Sequence, residues 1–156
     1  MKKNSIKVSI ESDFNAKIIL DKLKKFNLKN FLIKPKVNNF ENININLNHQ
    51  TKKNEFVFFC CQIEKTFKNF TKSINEKHNQ KELDKEINIF CQKIIQISKK
   101  NKYIYCFLWP LDVNDAYFGN LNYKYGYKSW LLNYINLKVS QILSAYENIF
   151  LLDLNY

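Results

Sequence analysis

EFVFFCCQ at 55–62 is an unbroken apolar run of strand length. A strand with one wet face alternates apolar and polar side chains, whereas a strand of a parallel sheet, covered on both faces, reads as continuous hydrophobic residues. The run therefore predicts a central strand. KYIYCFLWP at 102–110 has the same character and is stopped by Pro110, which cannot continue a ladder. IKVSIE at 6–11 alternates and reads as a first strand ending at Ser12 and Asp13. FLIKPKV at 31–37 is a short second strand, and Pro35, which removes a ladder donor, assigns it to an edge. NIFLLDLN at 148–155 is a last strand.

Between these runs the apolar period changes from two to three and four. Phe14, Ile18, Leu23 and Phe26 predict a helix over 13–26, and 63–73 reads as one further helix. Leu83, Ile87, Phe90, Ile94 and Ile97 predict the strongest helix, from about 80 to 99. Leu131, Ile135, Val139, Ile142 and Tyr146 predict another over 127–146. The segment 38–54 is polar and asparagine-rich, and reads as a long connection or a marginal helix. Strands alternating with helices of this length imply right-handed crossovers. The expected fold is a three-layer αβα sandwich around a mostly parallel five-stranded sheet. At 156 residues, with no repeat or linker dividing it, residues 1–156 form one domain.

An apolar share of 46% is enough to build a core, which excludes intrinsic disorder. The net charge of +11 raises nucleic acid as a partner. All 25 basic residues are lysine, however, and arginine carries the bidentate fork that phosphate and guanine recognition favours. Lysine, asparagine and isoleucine are used heavily together, as in NININLN at 42–48, the mark of a coding sequence drifting toward A and T. The lysines are dispersed and read as a solvated surface, with a lysine-driven nucleic-acid binder as the alternative. Cys60, Cys61, Cys91 and Cys106 show no CxxC spacing and read as buried reduced thiols. The amino terminus MKKNSIKVSIESD has charge but no apolar core of a signal peptide, and no stretch approaches membrane-span length, so a cytoplasmic protein with no membrane contact is expected.

In open α/β sheets, ligands bind beyond the carboxyl ends of the strands. That rule selects Ser12 and Asp13, Asn38 and Asn39, Gln62 and Glu64, Asp112 and Asp115, and Asp153 and Asn155. Ser12 fits a hydrolase nucleophile at a strand-to-helix turn, and it equally fits a helix N-cap. A nucleophilic serine needs a base, and neither His49 nor His78 follows a strand. The loop 111–126 holds Tyr117, Phe118, Tyr123 and Tyr125, which either stack on a ligand or pack on the sheet. GxGxxG, P-loop, HExxH and strand-end DxD motifs are absent, so no cofactor or metal is expected.

SIESDF at 9–14, PKVNNFEN at 35–42, LWP at 108–110 and SWLLNYINLKVSQILSAYENIFLLDLN at 129–155 together resemble the amino-terminal domain of FkbH-like proteins of the haloacid dehalogenase superfamily, a domain similar to SGNH hydrolases. The resemblance implies a flavodoxin-like or SGNH-like sandwich. In that family the domain precedes a phosphatase-like domain with a DxDxT motif, and the proteins are associated with loading three-carbon units onto carrier proteins and with surface-glycan or polyketide pathways. No DxDxT motif follows here, so a truncated, split or stand-alone version is expected. Ser12 matches the serine after the first strand, while the family's glycine after the second strand is replaced by the Asn38 and Asn39 region. The GxND block reads CCQIE, leaving Gln62 as the oxyanion donor, and the DxxH block beyond Asp153 is missing.

Without its base and half its oxyanion donors a hydrolase loses most of its rate. The expected function is thus an accessory, non-catalytic domain whose partner is a phosphatase-like domain or an acyl carrier protein. Asn39, Gln62 and Asp112 are the candidate binding residues, and an SGNH-type esterase or acyltransferase using Ser12 is the alternative. One test follows from composition alone. Titrating duplex and single-stranded DNA at physiological salt should give no sequence-dependent binding; saturable, sequence-dependent binding tighter than about micromolar would restore the nucleic-acid reading.

Overall fold

A computed structural model of the chain describes residues 4–25, 31–39, 56–75, 79–110, 124–125 and 127–153. Five strands form one sheet: β1 (Asn4–Ser12), β2 (Phe31–Asn39), β3 (Phe56–Cys60), β4 (Tyr103–Phe107) and β5 (Ile149–Leu152). Their order is β2-β1-β3-β4-β5, and every neighbouring pair is parallel. β2 stands at an edge, where the N–H missing at Pro35 leaves one side of the strand without a partner to disappoint. The helices are α1 (Lys17–Lys25), α2 (Ile63–Thr66), α3 (Lys68–Asn75), α4 (Gln80–Ser98) and α5 (Lys128–Leu143).

The two faces of the sheet are covered unequally. Val57, Phe59, Ile104, Cys106 and Ile149 point to one face and meet Phe70, Leu83, Ile87, Phe90, Ile94, Leu131, Ile135 and Val139 of α3, α4 and α5 in the main core. On the other face Ile10 and Cys60 pack with Phe14, Ile19 and Leu23 from α1 and the residues leading into it. α1 itself buries no residue, and Ile18 is 71% exposed. The expectation that β3 is covered on both faces is met in full on one, where Val57 and Phe59 are buried; on the other, Cys60 is buried while Phe56 and Phe58 are only partly so.

Two helix expectations are corrected. The stretch 63–73 is not one helix. It breaks at Phe67, which adopts φ −121° and ψ 98°, so that its fully buried ring meets Phe90 and Trp109 edge-on at 5.5 and 5.2 Å. The first helix starts at Lys17 and not at Asp13, because 12–14 forms a turn of its own. The region 40–55 and the loop segment 111–123 lie outside the described residues.

All four cysteines are free thiols, three of them buried and Cys61 partly so. Burial raises the Cys60 thiol to about 11 and the Cys91 thiol to about 12, and it holds Cys61 and Cys106 well above their ordinary range. At neutral pH the thiolate, the reactive form, is scarce at every site. Alkylation of native protein should therefore be slow at all four thiols and fast after denaturation. Rapid native labelling at Cys91 or Cys106 would show that β4 and α4 do not form this core.

Candidate functional site at the strand exits

Parallel pairing brings the carboxyl ends of β1, β2 and β3 side by side. Ser12 is in register with Asn39 on one side and with Cys60 on the other, so Ser12, Asn39 and the Gln62 that follows β3 share one end of the sheet. The turn after β1 is then tied across to β3. Asp13, 7% exposed, accepts the Gln62 backbone N–H on both carboxylate oxygens, at 2.9 and 3.0 Å. The Lys65 ammonium donates to the Asp13 carbonyl at 2.9 Å. Burial raises the Asp13 carboxyl above the ordinary aspartate range, with the Gln62 N–H and the Lys65 charge opposing it.

Ser12 is fully buried, and both functions of its hydroxyl are engaged within the turn. It donates to the Phe14 carbonyl at 3.0 Å and accepts the Phe14 N–H at 3.2 Å. It does not cap α1. Asn15, just ahead of α1, accepts the Lys17 N–H on its Oδ1 at 3.1 Å and so satisfies one of the open donors of the first turn. Gln62 is exposed and opens α2; its carbonyl accepts from the Thr66 N–H and hydroxyl at 3.0 and 2.8 Å. Asn39 is placed by register alone. Asp112, Asp115, Asn155, His49 and His78 lie outside the described residues. Glu64 and Asp153 are exposed, Glu64 on α2 and Asp153 just after β5.

One polar group at this end escaped sequence reading. Ser9 and Glu11 are 0% and 7% exposed and face the α4 side of the sheet next to β2. The Ser9 hydroxyl donates to Glu11 Oε1 at 2.7 Å, and the Asn38 amide donates to Glu11 Oε1 at 2.6 Å and to Ser9 Oγ at 3.0 Å. In sequence the two residues are the polar positions of an alternating strand, a pattern that normally marks a solvent face. The position of β1 inside the sheet buries them instead.

The exit of β4 is also closed by side chains bonding backbone. Trp109 Nε1 donates to the Cys61 carbonyl at 2.7 Å, and Asn136 of α5 accepts the Trp109 N–H at 3.1 Å while donating to its carbonyl at 2.7 Å. Tyr125, at the end of the tyrosine-rich loop, rests on Trp130 with ring centroids 4.7 Å apart. Among the described residues, no group of three or more His, Cys, Asp or Glu stands close enough to hold a metal ion. None of the described helices is long and apolar enough to cross a membrane.

No family model matches the sequence, and no curated protein matches it. Among solved structures, the fold is similar to the N-terminal part of the protein BF1531 from Bacteroides fragilis, which contains a phosphatase domain and was crystallised with Mg. The similarity has a TM-score of 0.71 at 14% identity and covers 98% of this chain. This chain spans 41% of the length of that one. At such identity the likeness is one of fold.

The Asp13 clip has a pH signature. Its raised folded-state pKa means that the native protein holds the proton more tightly than the unfolded chain does. The contribution is complete below the unfolded pKa and is lost as pH rises through the folded value. Urea unfolding of wild type and Asp13→Asn should show wild type gaining relative stability as pH falls from neutrality through the carboxylate range. A difference that is flat or runs the other way would remove burial as the dominant influence on this carboxyl.

Proposed function

We propose that this chain is an accessory, non-catalytic SGNH-like domain that serves a phosphatase-like domain or an acyl carrier protein, in keeping with its resemblance to FkbH-like proteins, in which such a domain precedes a phosphatase-like domain. The observation that carries the reading is the fold likeness over 98% of this chain to the N-terminal part of a protein containing a phosphatase domain. Two features of the strand exits support it. The Ser12 hydroxyl is buried and spent on Phe14, whereas a nucleophile needs its oxygen directed at a bound substrate and its proton shared with a base. The backbone N–H of Gln62, at the position where the hydrolase pattern seeks an oxyanion donor, is held by Asp13 at 2.9 and 3.0 Å.

In this reading Ser12, Asp13 and Trp109 form the finish of a scaffold, and the surface around Asn39 and Gln62 is where a carrier or substrate group is met, with Asp112 the further binding residue that the sequence offers. An SGNH-type esterase would require Ser12 to leave Phe14 and Gln62 to leave Asp13.

The test combines partner and chemistry. The tagged chain, expressed in cells of its source organism, should co-purify in near-stoichiometric amount with a polypeptide that mass spectrometry identifies as carrying a DxDxT phosphatase-like domain, or with an acyl carrier protein. Wild type should leave short acyl esters at the background rate and resist a fluorophosphonate probe. Ser12→Ala should cost about 1–3 kcal/mol of stability by stranding the Phe14 N–H. Probe attachment at Ser12, with ester hydrolysis abolished in Ser12→Ala, would replace the accessory reading with the hydrolase one.

A further inference from the structure

On the α1 side of the sheet, β3, β4 and β5 carry six aromatic residues, Phe56, Phe58, Tyr103, Tyr105, Phe107 and Phe150, with Cys60 and Leu152 completing the face at the strand exits. They form one continuous ladder. Phe58 stacks on Tyr105 at 4.8 Å, Tyr105 on Phe150 at 5.2 Å, and Phe56 meets Tyr103 at 5.4 Å. None of these six rings is buried, and Phe150 is 40% exposed, although the residues between them, Val57, Phe59, Ile104 and Cys106, are at most 1% exposed. A parallel sheet keeps both faces dry, and the continuous apolar runs of β3 and β4 are written for that condition.

Handedness explains why the described crossover helices do not meet it. The steps from β3 to β4 and from β4 to β5 move one way along the sheet, and a right-handed crossover in that direction lies on the α4 and α5 side. Only the step from β1 to β2 runs the other way, and it puts α1 over β1 and β2. No crossover among the described residues lays a helix on the aromatic ladder.

The surroundings say what kind of element fits. The neighbouring helix α1 carries exposed Lys17, Lys22, Lys24 and Lys25 against a single Asp21, and the Lys102 ammonium sits 5.1 Å from the Tyr103 ring centre. A second copy would bring another +11 charge to the same place. An acidic helix meets attraction there.

We propose that the aromatic ladder of β3, β4 and β5 is a docking face for an amphipathic helix of the partner polypeptide, laid beside α1 with leucine-like residues on the rings and carboxylates toward the lysines. The source of the helix rests on the accessory reading; the face and its chemistry are argued from the sheet. The occupant completes the second helical layer and buries a surface that α1 alone leaves half covered.

The test uses the whole chain and a designed peptide of about 20 residues, apolar at i, i+3, i+4 and i+7 and glutamate elsewhere. Anisotropy titrations should show saturable binding, weakened at least about tenfold when lysine replaces the glutamates or when the apolar positions are scrambled. Phe150→Glu should weaken it by at least about tenfold, and Leu137→Glu, at an exposed site on α5, by less than about twofold. A folded-state check by circular dichroism accompanies both variants, and Phe150→Ser replaces Phe150→Glu if the latter fails it. No binding, equal binding of the lysine peptide, or indifference to position 150 would overturn the proposal. So would a dimer in sedimentation that Phe150→Glu dissociates, which would make the occupant a second copy. If the peptide maps to Phe150 while no phosphatase-like or carrier partner co-purifies, the accessory reading falls and the docking face stands; the reverse result removes the face and keeps the reading.

Discussion

Right-handed closure of parallel strand–helix–strand units is the constraint from which the remaining architecture follows. With five parallel strands in the order β2-β1-β3-β4-β5, the direction of each step along the sheet selects the face its helix covers. Two steps send α4 and α5 to one face, and one step sends α1 to the other. The result is a main core that includes Phe59, Phe67, Phe70 and Phe90, all at most 2% exposed, and a small cluster around Ile10, Ala16 and Cys60. The imbalance is a property of topology, set before any particular side chain is chosen.

The carboxyl end of the sheet shows what the side chains add. Backbone groups leaving parallel strands need partners once the ladder stops, and here they find them in neighbouring side chains. Asp13 takes the Gln62 N–H, Trp109 reaches the Cys61 carbonyl, and Asn136 pairs with both backbone groups of Trp109. These bonds join the exits of β1, β3 and β4 and the helix α5 into one frame.

Much of this was readable from residue patterns. The apolar runs at 55–62 and 102–110 became adjacent interior strands, Pro35 marked the edge, and the spacing of Leu83, Ile87, Phe90 and Ile94 located α4. The failures have physical causes. Periodicity did not register the break at Phe67, because that residue keeps the apolar rhythm while its backbone turns extended to seat the ring between Phe90 and Trp109. A serine and an aspartate after a strand look like a helix start, yet the same two residues here serve a turn and a cross-strand clip. Glu11 and Ser9 alternate as exposed residues would, and only the place of β1 within the sheet shows them to be buried. The apolar character of β3 was legible, but which of its two faces this chain can cover depends on crossover direction, which no local window contains.

The small size of the α1 cluster bears on how the domain moves. Opening free energies across a native protein follow the local density of buried contacts. The β4–β5 side, backed by α4 and α5, has a deep cluster behind it, whereas α1 has no fully buried residue of its own. The β2–α1 margin is therefore the low-energy unit for local unfolding, and the strands under α4 and α5 are the slow-exchanging one. A ligand that orders this margin bears the entropy of ordering it, so its affinity is set in part by conformational entropy.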